Sequence, residues 1–225
     1  MNNGTFHGSP TQILQNDHLR LEFLAQAGPR IVRFGWPDGD NLFVELPDTA
    51  IDAVQGPYSL RGGHRLWHAP ERFSRTYIPD DGGLQVAEKA HNHVILTQRL
   101  EAPSGIQKQI EIQLHADRPA ATITHRLSNH GVWPIELAPW AITQLVHGGT
   151  AVLPQQTSPV DRDGLLPKRQ LNLWSYADIN DPRLQLGNQF ILIEGAEATP
   201  IKLGNQNRTG RDANHIDTTH VLKHI

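Results

Sequence analysis

The sequence predicts an all-β fold, specifically a large antiparallel β-sandwich. Most segments of the chain are short and alternate apolar with polar residues, which is the pattern of half-buried strands. Residues that favour turns separate these segments, and the 225-residue chain contains 19 glycines and 16 prolines. The pattern includes no amphipathic helix longer than about three turns and no internal repeat of about 20–50 residues. Many short strands separated by turns favour a sandwich or a barrel.

Each predicted strand has its own signal. Residues 19–23 and 110–114 alternate strictly between apolar and polar side chains, while residues 121–127 are rich in threonine and other β-branched residues. Residues 190–193 form a short apolar run of the kind found in fully buried strands. The predicted strands are residues 19–23, 31–34, 110–114, 121–127, 135–146 and 190–193. Turns are predicted at residues 37–40, 80–83, 103–105, 129–131 and 163–164.

A single domain is the predicted organisation. Residues 154–169 form a long polar connection with three prolines, and we interpret it as a loop because neither half of the chain holds enough strands to close a core. The predicted sandwich domain spans residues 16–210, after an N-terminal extension of residues 1–15. The divergent tail of residues 211–225 is polar and histidine-containing, and it forms either a marginal edge strand or a frayed end.

Composition excludes several functional classes. The chain has no cysteine, which rules out disulfides, zinc-thiolate sites and thiol nucleophiles. Its net charge is -3 with both signs mixed along the chain, so we expect neither a nucleic-acid partner nor a membrane-binding patch. No apolar run approaches the roughly 20 residues of a spanning helix, and the N-terminus lacks the pattern of a secretory signal, which predicts a cytoplasmic location. Phosphate-binding and dinucleotide-binding glycine motifs are missing, so we predict no cofactor.

The most informative segment is residues 62–71, where two imidazoles, a guanidinium, an indole and a carboxylate occur together. A glycine pair opens it and a proline nearly closes it, so we predict a rigid connection that displays polar groups and is not part of the core. Arg65 offers five donors in a planar fork, and Trp67 offers a flat apolar face. This pair matches the hydroxyl edge and the apolar face of a sugar ring. The alternative is a structural turn in which Arg65 pairs with Glu71 or Asp80 and Trp67 packs in the core.

Several segments together resemble a known family. The matching segments are residues 16–21, 28–35, 41–43, 62–71, 135–140, 171–174 and 202–210. Through them the chain resembles an uncharacterised bacterial family related to the aldose 1-epimerases, the galactose-mutarotase-like proteins. The resemblance covers residues 16–210, and its more specific matches are residues 62–71 and 202–210. It implies a supersandwich of the mutarotase type, with a sugar site on the concave face of one sheet.

The resemblance also implies a type of chemistry. In true mutarotases a glutamate near the C-terminus takes a proton from the anomeric hydroxyl, and a histidine gives one to the ring oxygen, so that the ring opens. An arginine and a second histidine orient the sugar. Here the resemblance ends at Gly210, before the expected base, so we expect a truncated or altered C-terminus, and sugar binding carries over better than catalysis. His125, His130 and His147 lie in the region of the acid histidine, but none sits in its motif.

The candidate site residues divide into two groups. His64 is the candidate proton donor and Glu71 its partner, with a surface histidine in a turn as the alternative. The candidate sugar-binding residues are Arg65, Trp67, Trp140, Lys202, Asn205 and Asn207. The alternatives are tryptophans that pack inside the β core and an ordinary polar turn at residues 202–207.

A metal site is not predicted. His91 and His93 would face the same side of a strand and reach one ion. A cupin-type site would need a glutamate about four residues further on, where Thr97 and Gln98 stand. We therefore interpret the two histidines as polar residues that bind no metal.

Two functional hypotheses follow. The first is an enzyme of the aldose-epimerase type that interconverts the anomers of a monosaccharide or sugar derivative. The second is a sugar-binding protein without turnover, which the missing C-terminal base favours. Missing strands would also leave a sheet edge open, and open edges pair with other chains, so we predict self-association.

Overall fold

A computed structural model describes residues 1–155, 157–159, 161–165, 169–195, 200–206 and 219–224, with residues 206 and 219–224 described through their backbone. Within these ranges the chain forms eighteen strands and one short helix, α1 (Phe73–Thr76). The strands are β1 (Asn2–Phe6), β2 (Ser9–Gln15), β3 (Arg20–Leu24), β4 (Arg30–Gly35), β5 (Glu45–Ala53), β6 (Gly56–Gly62), β7 (His64–Ala69), β8 (Gln85–Ala90), β9 (His93–Thr97), β10 (Ile106–Leu114), β11 (Ala121–Asn129), β12 (Ala138–Leu145), β13 (Thr150–Pro154), β14 (Leu171–Leu173), β15 (Leu184–Leu186), β16 (Phe190–Glu194), β17 (Ile201–Gln206) and β18 (Thr219–His224).

Two sheets face each other across the main core. The larger has nine strands in the order β1-β2-β3-β4-β7-β12-β18-β17-β14, and the second has four in the order β11-β10-β9-β8. Leu21, Phe23 and Leu66 of the larger sheet share one buried cluster with Leu96 and Ile110 of the second. The prediction of an all-β sandwich is therefore confirmed. Paired strands run antiparallel, apart from β12 and β18, which run parallel.

The six predicted strands all exist. They correspond to β3, β4, β10, β11, β12 and β16, whose limits differ from the predicted ones by a few residues. The strict alternation of β10 reflects its place in the second sheet, where every other side chain points into the sandwich and the intervening ones lie closer to solvent. No helix among the described residues has the length and apolar character needed to cross a membrane.

Smaller sheets extend both sides of the nine-stranded sheet. A three-stranded sheet, in the order β13-β16-β15, packs Ile191 and Ile193 against Ile201 and Leu203 of β17. The β5-β6 hairpin brings Tyr58 to a separate buried cluster with residues of β7 and β12. The hairpin cluster uses the side chains that β7 directs away from the second sheet, because successive strand residues face opposite ways. This covered face is where the candidate site lies.

The prediction that residues 62–71 form an exposed connection is wrong. Residues His64–Ala69 form β7, which pairs with β4 on one side and β12 on the other. Its first five side chains are buried, since the second sheet covers one face and the hairpin cluster covers the other. A central strand that is covered on both faces lacks the alternation of buried apolar and exposed polar residues. The sequence therefore does not reveal that its polar side chains are buried.

The glycine pair at the start of this segment is needed by the backbone. Gly62 and Gly63 have φ values of 79° and 67°, the left-handed region that side chains disfavour. A Cβ atom at Gly62 would overlap the carbonyl oxygen of Val44, and one at Gly63 would overlap that of Ile31. The two glycines therefore let the chain leave the hairpin and enter the sheet against β4.

Both ends of the chain contribute strands to the large sheet. The predicted N-terminal extension, residues 1–15, supplies β1 and β2, which pair in register with each other and with β3. Within the predicted tail, Thr219–His224 forms β18, which lies between β12 and β17 and is an internal strand, not an edge strand or a frayed end. The edges of the sheet are β1 and β14, and self-association through an edge stays a prediction.

His68 is a buried polar residue on the sandwich side of β7. Its side chain is fully buried, and neither ring nitrogen makes a hydrogen bond of normal geometry. Burial and, second to it, the positive charge of Lys108 lower the pKa of His68 to about 4. The imidazole is therefore neutral in the folded protein at physiological pH.

We predict that His68 makes the fold acid-sensitive. Its pKa is about 4 in the folded protein and about 6.5 in the unfolded chain, so the unfolded chain binds a proton first as the pH falls. The contribution of His68 to the free energy of unfolding is complete above pH 6.5 and falls by up to about 3 kcal/mol towards pH 4. Urea unfolding between pH 4 and 7 measures this slope, and His68→Leu should flatten it. His91→Gln, at an exposed position, is the control; an equal slope in both variants would contradict the assignment.

A second prediction concerns Gly63. Gly63→Ala should lower the free energy of unfolding by more than about 3 kcal/mol, because the new methyl group forces β7 away from β4. Gly8→Ala measures the cost of the left-handed backbone conformation without a close neighbour. Gly8 has φ 81° and open space around it, so this variant should lower the free energy of unfolding by only about 1–2 kcal/mol. Chemical denaturation of the two variants gives the comparison. Equal losses would mean that the close approach to Ile31 is not the dominant constraint.

Candidate functional site

Aromatic side chains gather on the face of the large sheet that the β5-β6 hairpin covers. Trp67 of β7 and Trp140 of β12 are direct neighbours across the two strands, with ring centroids 5.4 Å apart. Further rings pack around this pair, with centroid distances of 5.6 Å from Trp67 to Tyr58, 4.9 Å from Trp67 to Tyr77 and 5.9 Å from Trp140 to Trp174. We call these five residues the aromatic cluster: Tyr58, Trp67, Tyr77, Trp140 and Trp174.

Two cations lie against the rings of the aromatic cluster. The guanidinium carbon of Arg65 is 4.4 Å from the ring centroid of Trp67. The Nζ atom of Lys202 is 3.7 Å from the ring of Trp174 and 5.0 Å from that of Trp140. Cations at these distances are attracted by the electron-rich ring faces. The cluster is therefore a mixed cationic and aromatic surface.

The position of Trp174 depends on a glycine in β17. A Cβ atom at Gly204 would meet the indole of Trp174 at 3.4 Å, which is closer than most side-chain contacts. Glycine leaves the strand flat enough for the indole to lie on it. Residues Leu171–Leu173 pair with β17 directly before Trp174, and this pairing fixes where the indole begins.

The hydroxyl group of Tyr58 joins the cluster to a buried ion pair. Its oxygen accepts hydrogen bonds from Arg30 Nη2 at 2.6 Å and from Trp67 Nε1 at 2.7 Å. Arg30 is fully buried, forms an ion pair with Asp80 at 3.0 Å and also donates to the carbonyl of Leu60. Neutralisation by Asp80 opposes the effect of burial and keeps the pKa of Arg30 raised. The hydrogen bond to Tyr58, which is itself held by Arg30, thus fixes the orientation of the Trp67 indole.

Arg65 differs from Arg30 although the two stand opposite each other in β7 and β4. Arg65 is 4% exposed, and its Nη1 donates to Oε1 of Gln144. Among the described residues no carboxylate pairs with it: Asp80 pairs with Arg30 and Arg61, and Glu71 accepts from Tyr77. Burial, together with the neighbouring charge of Arg30, lowers the pKa of Arg65 to about 10.

The outer edge of the cluster is open to solvent. Glu71 is exposed and accepts a hydrogen bond from the hydroxyl of Tyr77, and Tyr176 is 61% exposed. Burial raises the pKa of Tyr77, as does its bond to Glu71. Burial, and then the charge of Glu71, raise the pKa of Tyr176. We call this edge the rim, and it consists of Glu71, Tyr77, Trp174 and Tyr176.

The structure brings five of the predicted site residues to this face. Arg65, Trp67, Trp140 and Lys202 contact one another through the aromatic cluster, and Glu71 lies at the rim. Trp67 and Trp140 are 3% and 4% exposed, so they pack as core tryptophans and offer no open stacking face. Trp174 is the half-buried indole of the cluster.

The remaining predicted residues lie elsewhere. His64 faces the second sheet, where its Nε2 is 2.8 Å from Nε2 of His125 and its Nδ1 is 2.8 Å from Oγ1 of Thr143. It therefore stands on the opposite face and at the opposite end of β7 from Glu71, and the predicted acid–base pair is not formed. Asn205 is buried on the opposite face of β17 from Lys202, because three residues along a strand reverse the side. Asn207 lies outside the described residues.

Sequence reasoning missed Tyr58, Tyr77 and Trp174 as members of the site. Tyr58 comes from the hairpin and Tyr77 from the segment after α1, and the sequence reasoning did not use Arg72, Phe73 and Arg75, which precede Tyr77. Trp174 was part of the matched segments, but nothing in the sequence marked it as the rim indole. The sequence contains eight tyrosine and tryptophan residues, and five of them meet in this cluster. Attention to these eight residues was the signal that could have identified the site.

The fold and the site define an all-β sandwich with a cationic and aromatic cluster on the covered face of its large sheet. Comparison of the chain with protein-family models, with curated proteins and with solved structures finds no match in any of the three. The arguments about function that follow therefore rest on the residues and their geometry.

We predict that Tyr58→Phe destabilises the protein without changing its shape. The substitution leaves Arg30 Nη2 and Trp67 Nε1 without their shared acceptor, and an unsatisfied buried donor costs about 1–3 kcal/mol. Urea denaturation measures the loss. Tyr176→Phe removes an exposed hydroxyl and should change the free energy of unfolding by less than about 0.5 kcal/mol. Similar values for both variants would show that the Tyr58 hydroxyl is not a necessary acceptor.

Proposed function

We propose that the protein binds a monosaccharide or sugar derivative at the rim of the aromatic cluster, without turning it over. The observation that carries this proposal is the half-buried indole of Trp174, with Nζ of Lys202 3.7 Å from its ring and the exposed Tyr176 two residues further along the chain. A sugar ring has an apolar C–H face that packs on an indole and an edge of hydroxyl groups that needs donors and acceptors. The rim offers both within a few side chains.

The polar groups of the rim suit hydroxyl recognition. Glu71 is a carboxylate and accepts hydrogen bonds, while the phenols of Tyr77 and Tyr176 have raised pKa values and stay protonated donors at neutral pH. A sugar hydroxyl both donates and accepts, so it can bond to a carboxylate and to a phenol at once.

Binding without turnover fits the rim better than anomer interconversion. Ring opening needs an acid and a base that exchange protons near neutral pH. Glu71 accepts from a tyrosine whose pKa is raised, and a phenol of raised pKa is a poor proton donor in catalysis. His64, the predicted donor, is on the other face of the sheet. The epimerase hypothesis remains the second proposal, supported by the sequence resemblance.

We predict that saccharide binding depends on Trp174. Saturation-transfer NMR with a panel of neutral aldoses, uronic acids and sugar phosphates should detect binding, and Trp174→Ala should weaken it by roughly ten-fold, because the stacking surface is lost. Trp133→Ala is the matched control, since the Trp133 indole is 79% exposed in the loop before β12 and touches none of the rim. The same NMR samples report anomer exchange, which should stay at the rate of the buffer.

Three outcomes decide between the hypotheses. Binding that depends on Trp174, with anomer exchange at the buffer rate, supports the binding protein. Accelerated exchange supports the epimerase and overturns the claim of binding without turnover. If no saccharide of the panel binds, or if Trp133→Ala weakens binding as much as Trp174→Ala, the rim is not a carbohydrate site.

A further inference from the structure

The buried donors around Arg65 outnumber the acceptors available to them. Arg65 Nε and Gln144 Nε2 are buried and make no hydrogen bond, although Arg65 Nη1 and Gln144 Oε1 bond to each other. Across the strand pair, the Nε of Arg30 is a further buried donor without a partner. A folded protein rarely leaves several neighbouring buried donors unpaired.

The same place also has an excess of positive charge. Arg30 is neutralised by Asp80, whereas no carboxylate of the described residues pairs with Arg65. Removing a charged group from water is costly unless an opposite charge accompanies it. The ring of Trp67 provides a partial compensation, but it supplies no acceptor atom in the plane of the guanidinium. Arg65 therefore has no direct ion-pair partner among the described residues, and Asp80 acts on it only from a greater distance.

We propose that Arg65 and Gln144 form a subsite for an oxyanion on the bound sugar, either a carboxylate or a phosphate group. This inference rests on the proposed function, because it takes the aromatic cluster to be the sugar site. The guanidinium fork matches two oxygens of an oxyanion, and Gln144 Nε2 offers a third donor beside it. An acidic sugar thereby supplies both the missing acceptors and the missing negative charge.

The subsite is close to the rim. Arg65 and Tyr77 each act electrostatically on the pKa of the other, and both side chains pack on the ring of Trp67. Tyr77 is half-buried and bonds to the exposed Glu71, so one side chain separates Arg65 from the open edge of the cluster. A sugar held by its hydroxyl groups at the rim can direct an acidic substituent past Tyr77 towards the guanidinium.

The wild-type protein provides the first test. Galactose, galacturonate and galactose 6-phosphate are compared as ligands by isothermal titration at low salt. At least one of the two acidic sugars should bind ten-fold or more tightly than galactose, and the one preferred distinguishes a carboxylate from a phosphate. Equal affinity for all three overturns the oxyanion subsite and leaves the proposed function standing. If none of the three binds and the wider panel also fails, the proposed function itself is wrong.

A pair of variants provides the second test and separates a binding role from a structural one. Arg65→Met with Gln144→Leu removes the unpaired donors and the charge at nearly constant volume, so the unliganded protein should be as stable as the wild type or more stable. The double variant should bind the acidic sugar and galactose with about equal affinity. Arg30→Met is the matched control at the opposite strand position, and it should destabilise the fold because it removes the nearer of the two arginines that pair with Asp80 and a donor to the Tyr58 hydroxyl. Should the double variant lose as much stability as Arg30→Met, or keep the preference, Arg65 is a structural residue and the inference fails.

Discussion

The oxygen of Tyr58 accepts a hydrogen bond from Arg30 on β4 and another from Trp67 on β7, and the rest of the molecule is arranged around that junction. It allows a strand rich in polar side chains to lie in the middle of a nine-stranded sheet with both faces covered. Asp80 completes the junction by neutralising Arg30. Without these acceptors the buried donors would favour solvent, and β7 would be a poor central strand.

The two arginines that face each other across β4 and β7 differ in how completely their guanidinium groups are paired. Arg30 has an ion pair, a hydroxyl acceptor and a carbonyl acceptor, which is the full set that a buried guanidinium requires. Arg65 has one amide and the face of an indole. Folded proteins place uncompensated charge where a ligand completes it, since such charge weakens the unliganded fold. The neutralised Arg30 thus lies in the buried part of the covered face, and the rim forms its open edge.

Much of the fold was predictable from the sequence, whereas the site was predictable only in part. The alternation in β10 and the threonine-rich run of β11 identify the second sheet, because these strands are covered on one face and exposed on the other. The segment 62–71 was predicted to be part of a site because of its residue types. The same reasoning did not identify Tyr58, Tyr77 and Trp174, which complete the aromatic cluster. His64 and Glu71 were paired by their nearness in sequence, although His64 faces the second sheet and Glu71 lies beyond the end of β7, where it accepts a hydrogen bond from Tyr77.

The sequence by itself determined the all-β class and the positions of six of the eighteen strands that the structure describes, because periodicity is a local property. Only the tertiary structure decided that β7 is a central strand, that Asn205 faces away from Lys202 and that Tyr58, Tyr77 and Trp174 meet the predicted residues. These facts depend on which strands become neighbours and on which faces are covered. Strand pairing joins residues that are far apart in sequence, such as Trp67 and Trp140, and no local pattern specifies those partners.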